Sequence, residues 1–341
     1  MKKLLSVIAV VLSIAMIFSL AGCGNTDTTS KPVSSKPTSS EEYKAVDMHV
    51  ACLKGPTGVG MAKLMDDAKD KKTANNYTFT VANAADEISG KIINGEINIA
   101  SVPTNLAAKL HQKTNGKITM LAVNTLGVLS FLSSDESVKT VADLKGKTIY
   151  SAGEGSNPEY ILKYILKQNN IDPEKDVTIK FVPTGEQLSA AMISGEATVA
   201  MVPEPAATTV LINKKTVKRV FTVNDEWEKV SDSKLMMGCV VALDSYIEAN
   251  KAAVDKFLTE YEASIKFANS NIDDAAKLCE TYGIVPKAAV AKAAIPTCNV
   301  TYVAKDEMKN SIKGYFEVLL SFDKTSIGGK LPADSFYYNA K

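Results

Sequence analysis

Arginine, tryptophan and histidine are almost missing from this 341-residue chain. Arg219 is the one arginine, Trp227 the one tryptophan, and His49 and His111 are the two histidines. Each shortage closes off a class of chemistry. Arg219 follows Lys214-Lys215-Thr216-Val217-Lys218 and reads as part of a charged, solvated stretch. A bidentate guanidinium clamp on a carboxylate or sulfonate is therefore not expected. An anion would instead rest on backbone N–H groups, hydroxyls or a lysine such as Lys54, which otherwise reads as a surface lysine. A single tryptophan, with no aromatic cluster at the turns, leaves Tyr160 as the candidate for stacking, with ordinary packing as the alternative. His49 lies in a strand and reads as a satisfied core residue; His111 reads as an exposed helix end. Neither has a nucleophile or metal-ligand spacing beside it. Asp66-Asp67 and Asp273-Asp274 read as helix charges rather than metal ligands. The expectation is no catalysis, no metal and no cofactor.

Charge is balanced as well: 39 basic and 38 acidic residues give net +1 at pH 7. Nothing here suits a nucleic-acid partner. Cysteine is sparse. Besides Cys23 there are Cys52, Cys239, Cys279 and Cys298, at spacings that match no zinc pattern. Outside a membrane they can pair. Cys279 and Cys298 flank a short helical stretch, and two readings stay open there: a bridge, or buried free thiols.

Lys2 and Lys3 precede an apolar run from Leu4 to Leu20, then Leu20-Ala21-Gly22-Cys23. This reads as a secretory signal over residues 1–22, with a membrane-spanning anchor as the alternative. Residues 23–43 are rich in Ser, Thr, Lys and Pro and read as a flexible tether. The chain from residue 44 to its end is about twice the usual single-domain length, so two lobes are expected.

An internal repeat organises that long C-terminal part. Ile93-Asn94-Gly95-Glu96-Ile97-Asn98-Ile99-Ala100-Ser101-Val102-Pro103 returns one hundred residues later as Ile193-Ser194-Gly195-Glu196-Ala197-Thr198-Val199-Ala200-Met201-Val202-Pro203. Six of the eleven positions are identical. In each copy a helix ends at a glycine free to take positive φ, a buried strand comes next, and a proline stops it. Upstream, Met48–Leu53 with Gly55-Pro56-Thr57 matches Thr148–Gly153 with Gly155-Ser156-Asn157. The fold class expected is α/β. Two similar lobes carry mixed, mainly parallel sheets joined by two crossover strands. A run of helices from Ser245 onward caps lobe one. Lobe one takes residues 44–130 and 235–341, lobe two 131–234, with Leu235–Leu243 as the returning strand.

Gly, Pro and small polar residues collect where strands end and helices begin, the place where open α/β sheets bind ligands. The expected ligand contacts are Pro56, Thr57, Gly58, Thr104, Asn105, Asn124 and Thr125 from lobe one. Lobe two offers Ser156, Asn157, Thr184 and Glu204. Simple helix capping is the competing reading for several of them; Thr184-x-x-Gln187 has capping-box spacing. Glu204 occupies the repeat position of Thr104. It reads either as an acceptor for a ligand N–H or as a cap on the helix near Ala206.

Leu20-Ala21-Gly22-Cys23 resembles a bacterial lipoprotein signal, which implies cleavage before Cys23 and membrane anchoring through lipid on that residue. Val141-Ala142-Asp143-Leu144-Lys145-Gly146-Lys147-Thr148, Gly153-Glu154-Gly155-Ser156, Ser194-Gly195-Glu196 and Glu204-Pro205 resemble solute-binding proteins of ABC importers. The branch is the one serving sulfonates, nitrate and thiamine precursors, and the resemblance spans about Met48 to Phe267. It implies a monomer that closes around a small polar or heteroaromatic solute in a hinged cleft outside the cytoplasm and delivers it to an importer permease. A tethered sensor docking on a membrane kinase, or an enzyme on the same fold, are the alternatives.

Overall fold

The computed structural model describes residues 43–339, and Lys44 begins one compact unit. The signal segment, Cys23 and the tether through residue 42 lie outside the described residues. Among the described residues, eleven strands form two mixed sheets. In the first, β1 (Asp47–Leu53) lies parallel to β2 (Asn76–Ala82) and to β3 (Ile99–Pro103). β4 (Ile118–Thr125) ends this run, and the chain crosses at once into the second sheet through β5 (Leu129–Ser133). There β6 (Thr148–Ala152) lies parallel to β7 (Thr178–Val182) and β8 (Val199–Pro203), and β9 (Lys218–Thr222) closes the edge. β10 (Gly238–Leu243) returns to the first sheet, and β11 (Val300–Ala304) adds its last edge.

The two sheets share one plan. The first reads β11-β4-β10-β3-β1-β2 and the second β9-β5-β8-β6-β7. In each, the third strand of a parallel trio pairs antiparallel with a strand arriving from the other half of the chain: β10 against β3, β5 against β8. The repeated Pro103 and Pro203 both end such a pairing, opposite Gly238 and Leu129. Gly95 and Gly195 both take positive φ, 76° and 92°, as a left-handed exit from a helix requires. The parallel share is smaller than the sequence suggests. Among the described residues four strand pairings are parallel and five antiparallel, because the crossover strands β5 and β10 and the edge strands β9 and β11 run against their neighbours.

β3, β4 and β8 are buried along almost their whole length, the pattern of strands covered on both faces. After β10 come helices at Asp244–Ala249, Lys251–Ser270, Ile272–Thr281, Ala288–Ala294 and Lys305–Phe322. Most of this group covers the first sheet, but the last helix reaches further. Tyr315 packs edge-on against Trp227, whose ring also meets Tyr164, with centroids 5.6 and 5.0 Å away. Trp227 is fully buried and donates its Nε1–H to Ser233 O at 2.6 Å. It sits on a short helix, Val223–Glu228, that the sequence pattern does not announce.

Candidate functional site

Turns from the two sheets meet along a seam. Gly55 opens the first of them with φ +89°. A Cβ there would stand 3.4 Å from Pro205 Cδ, so two turns from opposite sheets touch where only a glycine sits easily. Pro56 begins the single-turn helix Pro56–Val59, fixing its φ in advance. Thr57 is half-buried and Gly58 buried; the Thr57 hydroxyl points back to Leu53 O at 3.4 Å.

The helix Thr104–Lys113 starts where β3 stops at Pro103. Thr104 is fully buried. Its N–H donates to Met237 O at 3.1 Å and its hydroxyl to Met236 O at 2.6 Å. Across the seam the helix Asn157–Gln168 starts beside it. Asn157 Nδ2 donates to Thr104 Oγ1 at 3.3 Å and to Met237 O at 3.1 Å. One turn further along, Lys109 Nζ donates to Gly155 O at 3.2 Å and lies 5.7 Å from the Tyr160 ring centroid. Burial holds the Lys109 amine below the usual lysine range. Tyr160 is buried and donates to Gly155 O. Ser156 stands at the N-cap of its helix without a side-chain cap bond.

The structure separates the predicted residues into three groups. Thr104 and Asn157 come together in the seam, Asn105 is buried next to Thr104 in the same helix start, and Gly55 lies close to the Pro205 turn. Asn124 and Thr125 are buried in a network of their own. Asn124 Nδ2 donates to Ser101 Oγ and Tyr261 OH at 2.8 and 2.9 Å, while its Oδ1 accepts from the Thr125 hydroxyl at 3.0 Å. Thr184 is exposed and its hydroxyl accepts Gln187 N–H, which is the capping reading.

Glu204 is 3% exposed and fully occupied. Oε1 accepts from Arg219 Nη2 at 2.6 Å and from Thr297 Oγ1 at 2.9 Å. Oε2 accepts Thr208 N–H at 3.1 Å and the Thr208 hydroxyl at 2.8 Å. Thr208 lies in the first turn of the helix Ala206–Asn213, so Glu204 caps that helix. Arg219 corrects the expectation from sequence. It is not a solvated surface residue: β9 pairs with β5 at Leu132, and this places the guanidinium on Glu204 with its side chain 25% exposed. Thr297, in the short turn Ile295–Thr297 of the C-terminal region, carries no sequence signal at all.

His111 also departs from expectation. It is buried, its Nδ1 lies 2.7 Å from Ile118 O, and its ring packs against Phe336. His49 is half-buried between Glu96 O and Thr80 Oγ1, so both ring nitrogens are satisfied. Cys52, Cys239, Cys279 and Cys298 are all free and buried, so no bridge joins Cys279 to Cys298. Lys54 is exposed.

Residues 67–292 match a family model described as the periplasmic substrate-binding protein of a phosphonate ABC transporter. No curated protein matches the sequence. Several solved structures share the fold. An ABC transporter protein from Parabacteroides distasonis superposes with a TM-score of 0.72 at 19% identity, covering 86% of this chain and 99% of the other. The periplasmic aliphatic sulphonate-binding protein SsuA of Escherichia coli gives 0.69 at 16% identity, covering 86% and 92%. The alkanesulfonate-binding SsuA of Xanthomonas axonopodis, bound to MOPS, gives 0.63 at 15% identity, covering 82% and 94%.

Proposed function

The chain belongs to the family of periplasmic substrate-binding proteins of phosphonate ABC transporters, and we propose that it captures a small polar or heteroaromatic solute in the seam between its two sheets and hands it to an importer permease. Family membership implies a location outside the cytoplasm, as the substrate-binding part of an importer. The observation that carries the rest is the meeting of Thr104 and Asn157 across the seam, each in the first turn of its helix. Two helix starts facing one gap gather N–H donors and partial positive charge where a polar solute can be held. Residues 44–130 with 235–341, and 131–234, are the two lobes proposed to part and close. Pro56, Thr57, Gly58, Thr104, Asn105, Ser156 and Asn157 are the contacts retained; Glu204, Thr184, Asn124 and Thr125 act through structure. The protein acts as a monomer without catalysis.

Lipid on Cys23 is proposed to hold it at the membrane. Labelled palmitate should enter the protein and Cys23→Ala should abolish the label; labelling of the variant would remove the anchor. A thermal-shift screen of the purified protein against sulfonates, phosphonates, amino acids, pyrimidines and vitamins tests the capture. A ligand that binds only the folded state raises the melting temperature with concentration. Silence across every class would overturn the proposal.

A further inference from the structure

The polar atoms of the seam leave a specific remainder. Asn157 spends its carboxamide nitrogen on Thr104 Oγ1 and Met237 O. A carbonyl only accepts, so the nitrogen must be the atom facing Met237 and the amide cannot be turned round. Its Oδ1 is then left over. Asn157 is 1% exposed, and that oxygen accepts no hydrogen bond among the described residues. Nδ2 of the same planar group bridges to Thr104 and Met237, so the unpaired oxygen belongs to the very carboxamide that makes the contact across the seam. Asn105, next to Thr104, is 2% exposed and its Oδ1 is likewise without a partner among the described residues. Buried acceptors that stay unpaired are costly, and in functional sites they mark where a ligand completes the bonding.

We propose that Asn157 and Asn105 select the solute by accepting hydrogen bonds from a neutral N–H donor: an amide, ureide or lactam edge. The inference rests on the seam being the solute site and names what enters it. A plain oxyanion offers no hydrogen to these oxygens. An ammonium offers several, but both asparagines stand in the first turn of a helix, at Thr104–Lys113 and Asn157–Gln168, where the backbone is partially positive. The carboxylate that would offset a cation, Glu204, has both oxygens taken by Arg219, Thr297 and Thr208. A neutral N–H beside a carbonyl suits both sides: its hydrogen meets the carboxamide oxygen, and its own oxygen meets the partial positive charge of the helix starts.

Calorimetric titration of the intact protein with uracil and hydantoin, their 1,3-dimethyl derivatives, and the proton-free oxyanions nitrate and methanesulfonate decides the matter. The unmethylated compounds should bind roughly tenfold or more tightly than the dimethyl ones, the ratio a lost hydrogen bond to a buried acceptor gives. In Asn105→Ala that ratio should shrink, and in Asn157→Ala shrink further. Asn105→Ala keeps the test open if the Asn157 variant does not fold. Equal binding of methylated and unmethylated compounds, or a preference that survives in the asparagine variants, would overturn the inference. Binding of oxyanions alone would overturn it while leaving solute capture intact. Binding of nothing in the set would also overturn the inference, while solute capture falls only if the wider thermal-shift screen is silent too.

Discussion

The hydroxyl of Thr297 donates to Glu204 Oε1 at 2.9 Å, from the C-terminal helical region to the turn that ends β8. The same hydroxyl lies 3.0 Å from Ala294 O, three residues back in its own chain. A threonine has one hydrogen to give, so the two acceptors compete for it. If the seam parts, the hydrogen has a local carbonyl to turn to, and Glu204 keeps Arg219 and Thr208. Neither side is left with a buried orphan. The contact is therefore suited to being made and broken.

Thr297→Val keeps the shape and removes the hydrogen. It should shift the balance toward an open form, seen as a larger radius of gyration in small-angle scattering without solute. Affinity should fall by roughly threefold to tenfold, the worth of about 0.5–1.5 kcal/mol for one hydrogen bond. An unchanged radius and unchanged affinity would show that the contact has no part in the proposed closure.

Glu204→Gln should strike stability rather than affinity. The carboxylate has no free lone pair to offer a solute, and its loss leaves the half-buried Arg219 facing a neutral group. Breaking a charged hydrogen bond of this kind costs about 1.5–3 kcal/mol, readable in urea unfolding. Tenfold weaker binding at unchanged stability would return Glu204 to the ligand shell.

Asp135 gives a pH signature. Lys147 Nζ at 2.6 Å, with the Ser137 hydroxyl and N–H at 2.6 and 2.9 Å, holds its carboxyl well below the usual carboxylate range. The unfolded chain, with an ordinary value of about 3.9, takes up the proton first as pH falls. The contribution is thus complete above that value and is lost as pH drops through the lower folded one. Asp135→Asn should be less stable than the parent at neutral pH and converge with it in strong acid. A constant gap across that range would show that charge is not the source.

The thiols should be silent. Burial pushes the Cys52 and Cys279 thiols up to about 12 and those of Cys239 and Cys298 well above their ordinary range. A disulfide reagent at pH 8 should label none of the four in the native protein and all of them in guanidinium. Fast labelling of any one in the native state would show that its surroundings open readily.

The parts of this fold written in local conformation can be read from the chain. Gly95, Gly195, Pro103 and Pro203 each dictate a backbone state, so the duplicated plan is visible from spacing alone. β11 escapes such reading because it is a short edge strand lying just after the positive-φ Asn299, with half-buried residues that show no alternation. The turns that meet in the seam are legible for the same reason as the repeat. Their partnerships are not. Glu204 finds Arg219 through a strand register with an irregularity beside it, and Thr297 through a turn far along the chain. Nothing in the order of residues encodes either pairing. The opening residues of the stretch Leu235–Leu243 read as strand; Met236 and Met237 instead lend their carbonyls to Thr104 and Asn157.

The place of β10 in its sheet bears on how the protein is made. It lies between β4 and β3, yet it comes after every strand of the second sheet in the chain. A chain emerging N-terminus first therefore delivers β2-β1-β3 as one fragment and β4 as another, with their joint still unsynthesised or still on the wrong side of a membrane. Pairings between distant segments form late because the loop must close first. The molecule cannot finish its first sheet until most of its length has arrived. A protein bound for the outside of the cell gains from that delay, because a chain that has not yet closed is one that can still be threaded.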